Sequence, residues 1–254
     1  MARSLPSPSE IRTLASEVFA TQYADADAAF LAGSFMRGQG SPTSDIDLVV
    51  LCPSLPHAFR ESFLFENIRV ETFAHDPETL TWFLENDRND GHPALIGMLI
   101  EGVLIGPRQK TAADLKQLAS RLFAAGPPPL NTDALERLRY AITDKLDDLA
   151  TDRSSAERIA IGAALYPLLV ELVLRGNNQW NGSGKWSSRL LHQNDAGLAQ
   201  RFESAFVALY SGSDTHAVIQ LADILLASHG GRLFAGYRSD APAHWRSPFI
   251  PSGS

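Results

Sequence analysis

Residues 30–51 read FLAGSFMRGQGSPTSDIDLVVL, and the fold turns on this stretch. Phe30 to Ala32 close an apolar run that begins at Ala28, and Ile46 to Leu51 form a second run suited to a strand covered on both faces. Gly33-Ser34 ends the first run, where a turn is expected to lead into a short helix before the second. Asp45 and Asp47 flank Ile46. The two-residue period of a strand points both carboxylates to one face and sends Ile46 into the core. Adjacent carboxylates repel and are best tolerated around a hard divalent cation; Mg²⁺ is commonly held by one or two carboxylates together with substrate phosphates. Two solvated aspartates on a strand edge are the plainer alternative. Gly33 lets a phosphate approach the backbone, with the Ser34 hydroxyl and nearby amides as donors, although the same two residues also make an ordinary turn.

Working outward, Ser7-Pro8-Ser9-Glu10 reads as a capping box with Pro at the first helical position, and Ile11, Leu14, Ala15, Val18 and Phe19 repeat at the helical period. Downstream, Asn67 to His75 alternates Ile68 and Val70 with Arg69 and Glu71, as a strand between unlike surroundings does. Helices are expected over Pro77–Leu84, Pro93–Glu101 and Ala112–Phe123, until Gly126-Pro127-Pro128-Pro129 stops the last. The domain boundary is placed there, giving residues 1–125 and 126–254. Beyond it helical periodicity dominates: roughly Asp133–Leu149, Ala156–Leu174, Lys185–His192, Ala196–Tyr210 and Thr215–Ser228, then an irregular tail from Arg232 with Pro242, Pro248 and Pro251. The expected fold is α+β, a small mixed sheet flanked by helices followed by an all-α bundle.

At 254 residues, 44% apolar and 20% charged, the chain has the composition of a globular protein rather than a collagen-like, disordered or membrane one. Its single cysteine, Cys52, cannot form an internal disulfide, so a cytoplasmic location is expected. Glu10, Arg12 and Glu17 interrupt any signal-peptide core, and no later stretch is expected to reach membrane-spanning length, so no membrane partner is anticipated. Residues 1–110 hold 8 Lys and Arg against 15 Asp and Glu, while residues 111–254 hold 14 of each. An acidic half is a poor match for a nucleic-acid backbone, and no nucleic-acid partner is expected. One cysteine and histidines without ligand spacing argue against structural zinc.

A strand, Gly33-Ser34, a short helix and a second strand bearing Asp45-Ile46-Asp47 resemble the signature of the polymerase-β-like nucleotidyltransferase superfamily. Gly33-Ser34-Phe35-Met36-Arg37-Gly38 and the Ser44 before Asp45 resemble the extended motif of its aminoglycoside and minimal nucleotidyltransferase branches. The resemblance implies that Gly33, Ser34, Arg37 and Ser44 line the nucleotide site, with Ser34 on the outer phosphates and Arg37 neutralising them. It also implies that Asp45 and Asp47 hold Mg²⁺, and that a third carboxylate completes the set. Glu71 is the candidate for that third place, as metal ligand or as base; a solvated glutamate paired with Arg69 is its alternative. Residues 133–148, Glu157-Arg158 and Gly184-Lys185-Trp186 resemble, more loosely, the helical half of bacterial small-molecule nucleotidyltransferases. Lys185 can reach a triphosphate or remain a surface lysine. Asp144 and Asp148, with Asp147 nearby, can receive a cationic substrate or form a solvated face moderated by Lys145. Trp82, Trp180, Trp186 and Trp245 are expected to pack rather than to stack on a base.

The resemblance implies an enzyme, a nucleotidyltransferase that moves a nucleoside monophosphate, AMP from ATP, to a hydroxyl of a small-molecule acceptor and releases pyrophosphate. The active site is expected between the two domains. The alternative is an antitoxin-like or regulatory nucleotidyltransferase module that acts on, or binds, a partner protein.

Overall fold

The computed structural model describes residues 7–41, 43–212 and 214–248 and divides into two compact units. The first unit runs to residue 128 and takes in 178–186; the second comprises 129–177 and 187 onward. The segment 178–186, assigned from sequence to the second domain, therefore lies with the first unit. Trp180 stacks on Phe123 at 5.4 Å and donates through Nε1 to the Phe123 carbonyl, and the Asn181 amide donates to the Gly91 carbonyl.

The first unit is built on a five-stranded sheet: β1 (Ala28–Ala32), β2 (Ile46–Leu51), β3 (Phe59–Phe65), β4 (Ile68–His75) and β5 (Val103–Ile105), in spatial order β3-β4-β2-β1-β5. Only β2 and β4 pair in parallel. The apolar runs at 28–32 and 46–51 form the two central strands, and every residue in them except Asp47 is buried. On one face Ala29, Leu31, Ile46, Leu48, Val50, Val70 and Ala74 pack against α1 (Pro8–Gln22) through the five residues expected from its period. Ser7 caps α1 with the full capping box. On the other face Ala28, Phe30, Val49 and Leu51 pack against α2 (Pro77–Asp90), α3 (Ala94–Glu101) and α4 (Lys110–Ala125). α3 has no side-chain cap of its own, since its N-cap residue is Pro93; the half-buried Asp87 carboxylate of α2 accepts from the Ile96 amide instead.

One expectation, the short helix after Gly33-Ser34, is corrected here, and two strands are added to those read from the sequence. β3 and β5 carry no clear signal: β3 is a mostly exposed edge strand, and β5 is only three residues long. The β3–β4 turn, Glu66-Asn67, has φ of 49° and 64°, the two positive values a two-residue hairpin needs, but not the Asn-Gly usually found there. Residues 34–38 form hydrogen-bonded turns rather than a short helix, with the Gln39 amide donating to the Ser34 carbonyl and Gly38 at φ 68°.

The second unit contains α5 (Thr132–Leu149), α6 (Ser155–Gly176), most of α7 (Lys185–Asn194), α8 (Ala196–Gly212) and α9 (His216–Ala227). Leu138, Ile142 and Leu146 of α5, Leu165, Leu169 and Leu172 of α6, Phe202 and Phe206 of α8, and Val218 and Leu221 of α9 form its core. α6 corrects the expectation that no stretch reaches membrane-spanning length: its 22 residues are long and apolar enough, although core helices pass the same test and 44% of its most apolar window is buried. The tail begins as a strap. Arg139 donates to the carbonyls of Gly230 and Gly231, the Leu233 amide donates to Thr143, and Arg232 bridges Asp147 and Asp223. Pro251 lies outside the described residues. Trp82 and Trp245 are exposed rather than packed.

Candidate active site

Strand register assembles the acidic cluster. Asp47 pairs with Ala32 of β1 on one side and with Glu71 of β4 on the other. Residues directly opposite in a sheet share a face, so Glu71 stands beside Asp47, and Asp45, two residues earlier, lies on the same side. One oxygen from each of the three carboxylates lies within 4.8 Å of the other two, and all three residues are half-buried. An all-oxygen donor set of this span suits a hard divalent ion.

Burial, reinforced by the charges of Asp45 and Glu71, pushes the Asp47 carboxyl up to about 6, while Arg37 and Lys185 oppose the shift. The cluster is therefore short of positive charge. Gly33 makes the close approach possible. It sits at φ 87°, and a Cβ there would lie 1.9 Å from Asp47 Oδ2. Both the backbone conformation and the space demand glycine.

Glu71 does not pair with Arg69. Arg60 of β3 holds it, with Nη2 at 2.6 Å and Nε at 3.0 Å from Oε1, and Ser62 adds a third donor to the same oxygen at 3.2 Å. The Arg60 guanidinium lies 5.0 Å over the Phe73 ring, which fixes it further. Because all three donors converge on Oε1, Oε2 is left for another partner. Sequence reading missed Arg60 and Ser62 because they lie on the unrecognised strand.

The remaining sequence candidates separate into different roles. Ser34 is half-buried at the start of the turn. Ser44 ties its loop together: its hydroxyl accepts from the Ser41 amide at 2.9 Å. Arg37 donates through Nη1 to Glu101 Oε2 at 2.9 Å and lies 5.0 Å over the Trp186 ring. Neither Glu101 nor the stacking role of Trp186 was anticipated, since their contacts span 64 and 149 residues of sequence. Lys185 is exposed at the start of α7, and its charge is felt at Asp47. Asp144 and Asp148 belong to the helical unit, where Lys145 pairs with Asp144 at 2.7 Å and Arg153 with Asp148 at 2.8 Å. An incoming cation would have to displace these partners.

No curated protein matches the chain in sequence. Among solved structures 11 chains match. One is a nucleotidyltransferase-like protein from Exiguobacterium sibiricum 255-15, 14% identical, with 85% of this chain and 73% of that chain covered and a TM-score of 0.44. Residues 14–83, which carry Gly33, Asp45, Asp47 and Glu71, match the family model described as the nucleotidyltransferase domain.

Proposed function

We propose that the protein transfers a nucleoside monophosphate, AMP from ATP, to a hydroxyl group of a small-molecule acceptor. The observation that carries this reading is the register that sets Asp47 between Ala32 and Glu71, with Asp45 on the same side and Gly33 against the Asp47 carboxylate. Asp45, Asp47 and Glu71 would hold Mg²⁺, which supplies charge neutralisation at the polyphosphate when bound. The residues of the chain then divide the remaining work. Gly33 leaves room for Asp47, and Ser34, Arg37 and Lys185 bind and orient the β- and γ-phosphates so that pyrophosphate is the leaving group. The acceptor oxygen forms its bond to the α-phosphorus as the bond to the α–β bridging oxygen breaks. Glu71, pinned by Arg60 and Ser62 through Oε1, keeps Oε2 for the metal or for the hydroxyl proton. The helical unit, with Asp144 and Asp148, is the proposed source of acceptor selectivity.

The test is pyrophosphate release from ATP and Mg²⁺ across a panel of hydroxyl-bearing small molecules. Acceptor-dependent release that disappears in Asp45→Asn and Asp47→Asn is the expected outcome. Release that survives either substitution at saturating nucleotide would falsify the assignment of the carboxylates. Transfer of nucleotide to protein substrates alone would favour the regulatory-module alternative.

A further inference from the structure

Arg37 is held in an unusual way for a surface-turn arginine. Its side chain is only 21% exposed, its Nη1 is committed to Glu101, its guanidinium is stacked on Trp186, and its Nε is buried without a hydrogen-bond partner. A buried donor left unpaired is unfavourable by about 1–3 kcal/mol, so Arg37 is held in this place against a penalty and its position is not explained by the stability of the turn alone. Glu101 is also poorly placed for its own helix. It is the last residue of α3, where the helix dipole disfavours an anion, so its carboxylate does not serve α3. Trp186 directly follows Lys185, and its amide donates to the Ser183 carbonyl, so the ring beneath Arg37 and the lysine that acts on Asp47 share one short stretch of backbone.

From this geometry we infer that Glu101 and Trp186 are positioning residues that clamp Arg37 from opposite chemistries, an ion pair and a ring face, and present the remaining exposed edge of its guanidinium to an anionic oxygen of the nucleotide's polyphosphate. The inference rests on the proposed nucleotidyltransferase reading and adds to it two residues that touch neither the metal nor the phosphates. The clamp joins three distant parts of the first unit: the turn after β1, the end of α3 and the start of α7. Its role is to remove rotamer freedom from Arg37 before the nucleotide arrives, which strengthens binding without altering the chemical step.

The experiment uses the full chain and MgATP. Calorimetry gives MgATP affinity, and steady-state turnover gives KM and kcat, for wild type, Glu101→Gln, Trp186→Leu, Arg37→Met and the Arg37→Met/Glu101→Gln pair. Glu101→Gln and Trp186→Leu should each weaken MgATP binding roughly three- to tenfold with kcat nearly unchanged. Glu101→Gln should have no further effect once Arg37 is Met, because a clamp acts only through what it clamps. Glu101→Asp, which retains the charge, should recover part of the loss. If Arg37→Met weakens binding but Glu101→Gln binds as wild type, the clamp is wrong while the nucleotide reading stands. An equal loss from Glu101→Gln in both backgrounds also overturns it, since the effect would then be structural. Wild-type protein that binds no MgATP overturns both readings.

Discussion

A methyl group on Gly33 would collide with the Asp47 carboxylate and would also force an L side chain into the left-handed region. That conformation alone is unfavourable by roughly 1–2 kcal/mol outside glycine. Gly33→Ala should therefore lower the melting temperature and abolish detectable transfer together, and a variant with wild-type turnover would show that the two residues do not need to meet. Asp47 carries a second consequence. Its carboxyl ionises at about 6 in the folded chain against an ordinary 3.8. Below pH 4 the group is protonated whether folded or unfolded; as pH rises toward 6 the unfolded chain releases its proton first, so stability is lost through that window. At about 1.36 kcal/mol per unit, the loss is on the order of 3 kcal/mol. Urea unfolding in chelator should show Asp47→Asn gaining on wild type between pH 4 and pH 7.5. A constant difference between the two would contradict the burial argument.

At the scale of elements, the hairpin β3–β4 separates what was legible from what was not. The central strands could be read because Ala28–Ala32 and Ile46–Leu51 are buried on both faces and leave continuous apolar runs. α1 could be read because capping and periodicity agree. β3 could not, because an exposed edge strand is under little compositional pressure and its turn lacks glycine. With it went Arg60 and Ser62, so the anchoring of Glu71 was hidden although Glu71 itself was not. The pairing of Arg37 with Glu101 was hidden for a different reason: nothing local in either segment records a contact 64 residues away. The turn supplies its own test. Replacing Glu66-Asn67 by Asn-Gly should stabilise the protein by about 1 kcal/mol, read as a higher urea midpoint with turnover unchanged. Arg60→Met, by contrast, should leave the fold intact and lower turnover about tenfold by freeing the Glu71 carboxylate. Unaltered turnover would show that Glu71 needs no anchor.

Over the whole molecule, charge is the property that changes most on ligation. Of the 15 Asp and Glu residues among the first 110, the sheet brings three, Asp45, Asp47 and Glu71, into one small volume. Mg²⁺ alone should raise the melting temperature at pH 7.5, and should do so less at pH 5, where Asp47 holds a proton that the ion must displace. Asp45→Asn and Asp47→Asn should each lose this response. A Mg²⁺ effect that survives in both would place the ion elsewhere.

The return of residues 178–186 to the first unit also bears on how the gene can be divided. The chain leaves that unit near residue 128, comes back for nine residues and leaves again, so no single cut yields both halves intact. A fragment ending at 128 would keep Gly33, Asp45, Asp47 and Glu71 but would lack Lys185 and Trp186. Recombination or fusion at that point would thus transplant an acidic pocket stripped of its distant cation. A working exchange of helical halves must carry the nine-residue segment across with the sheet.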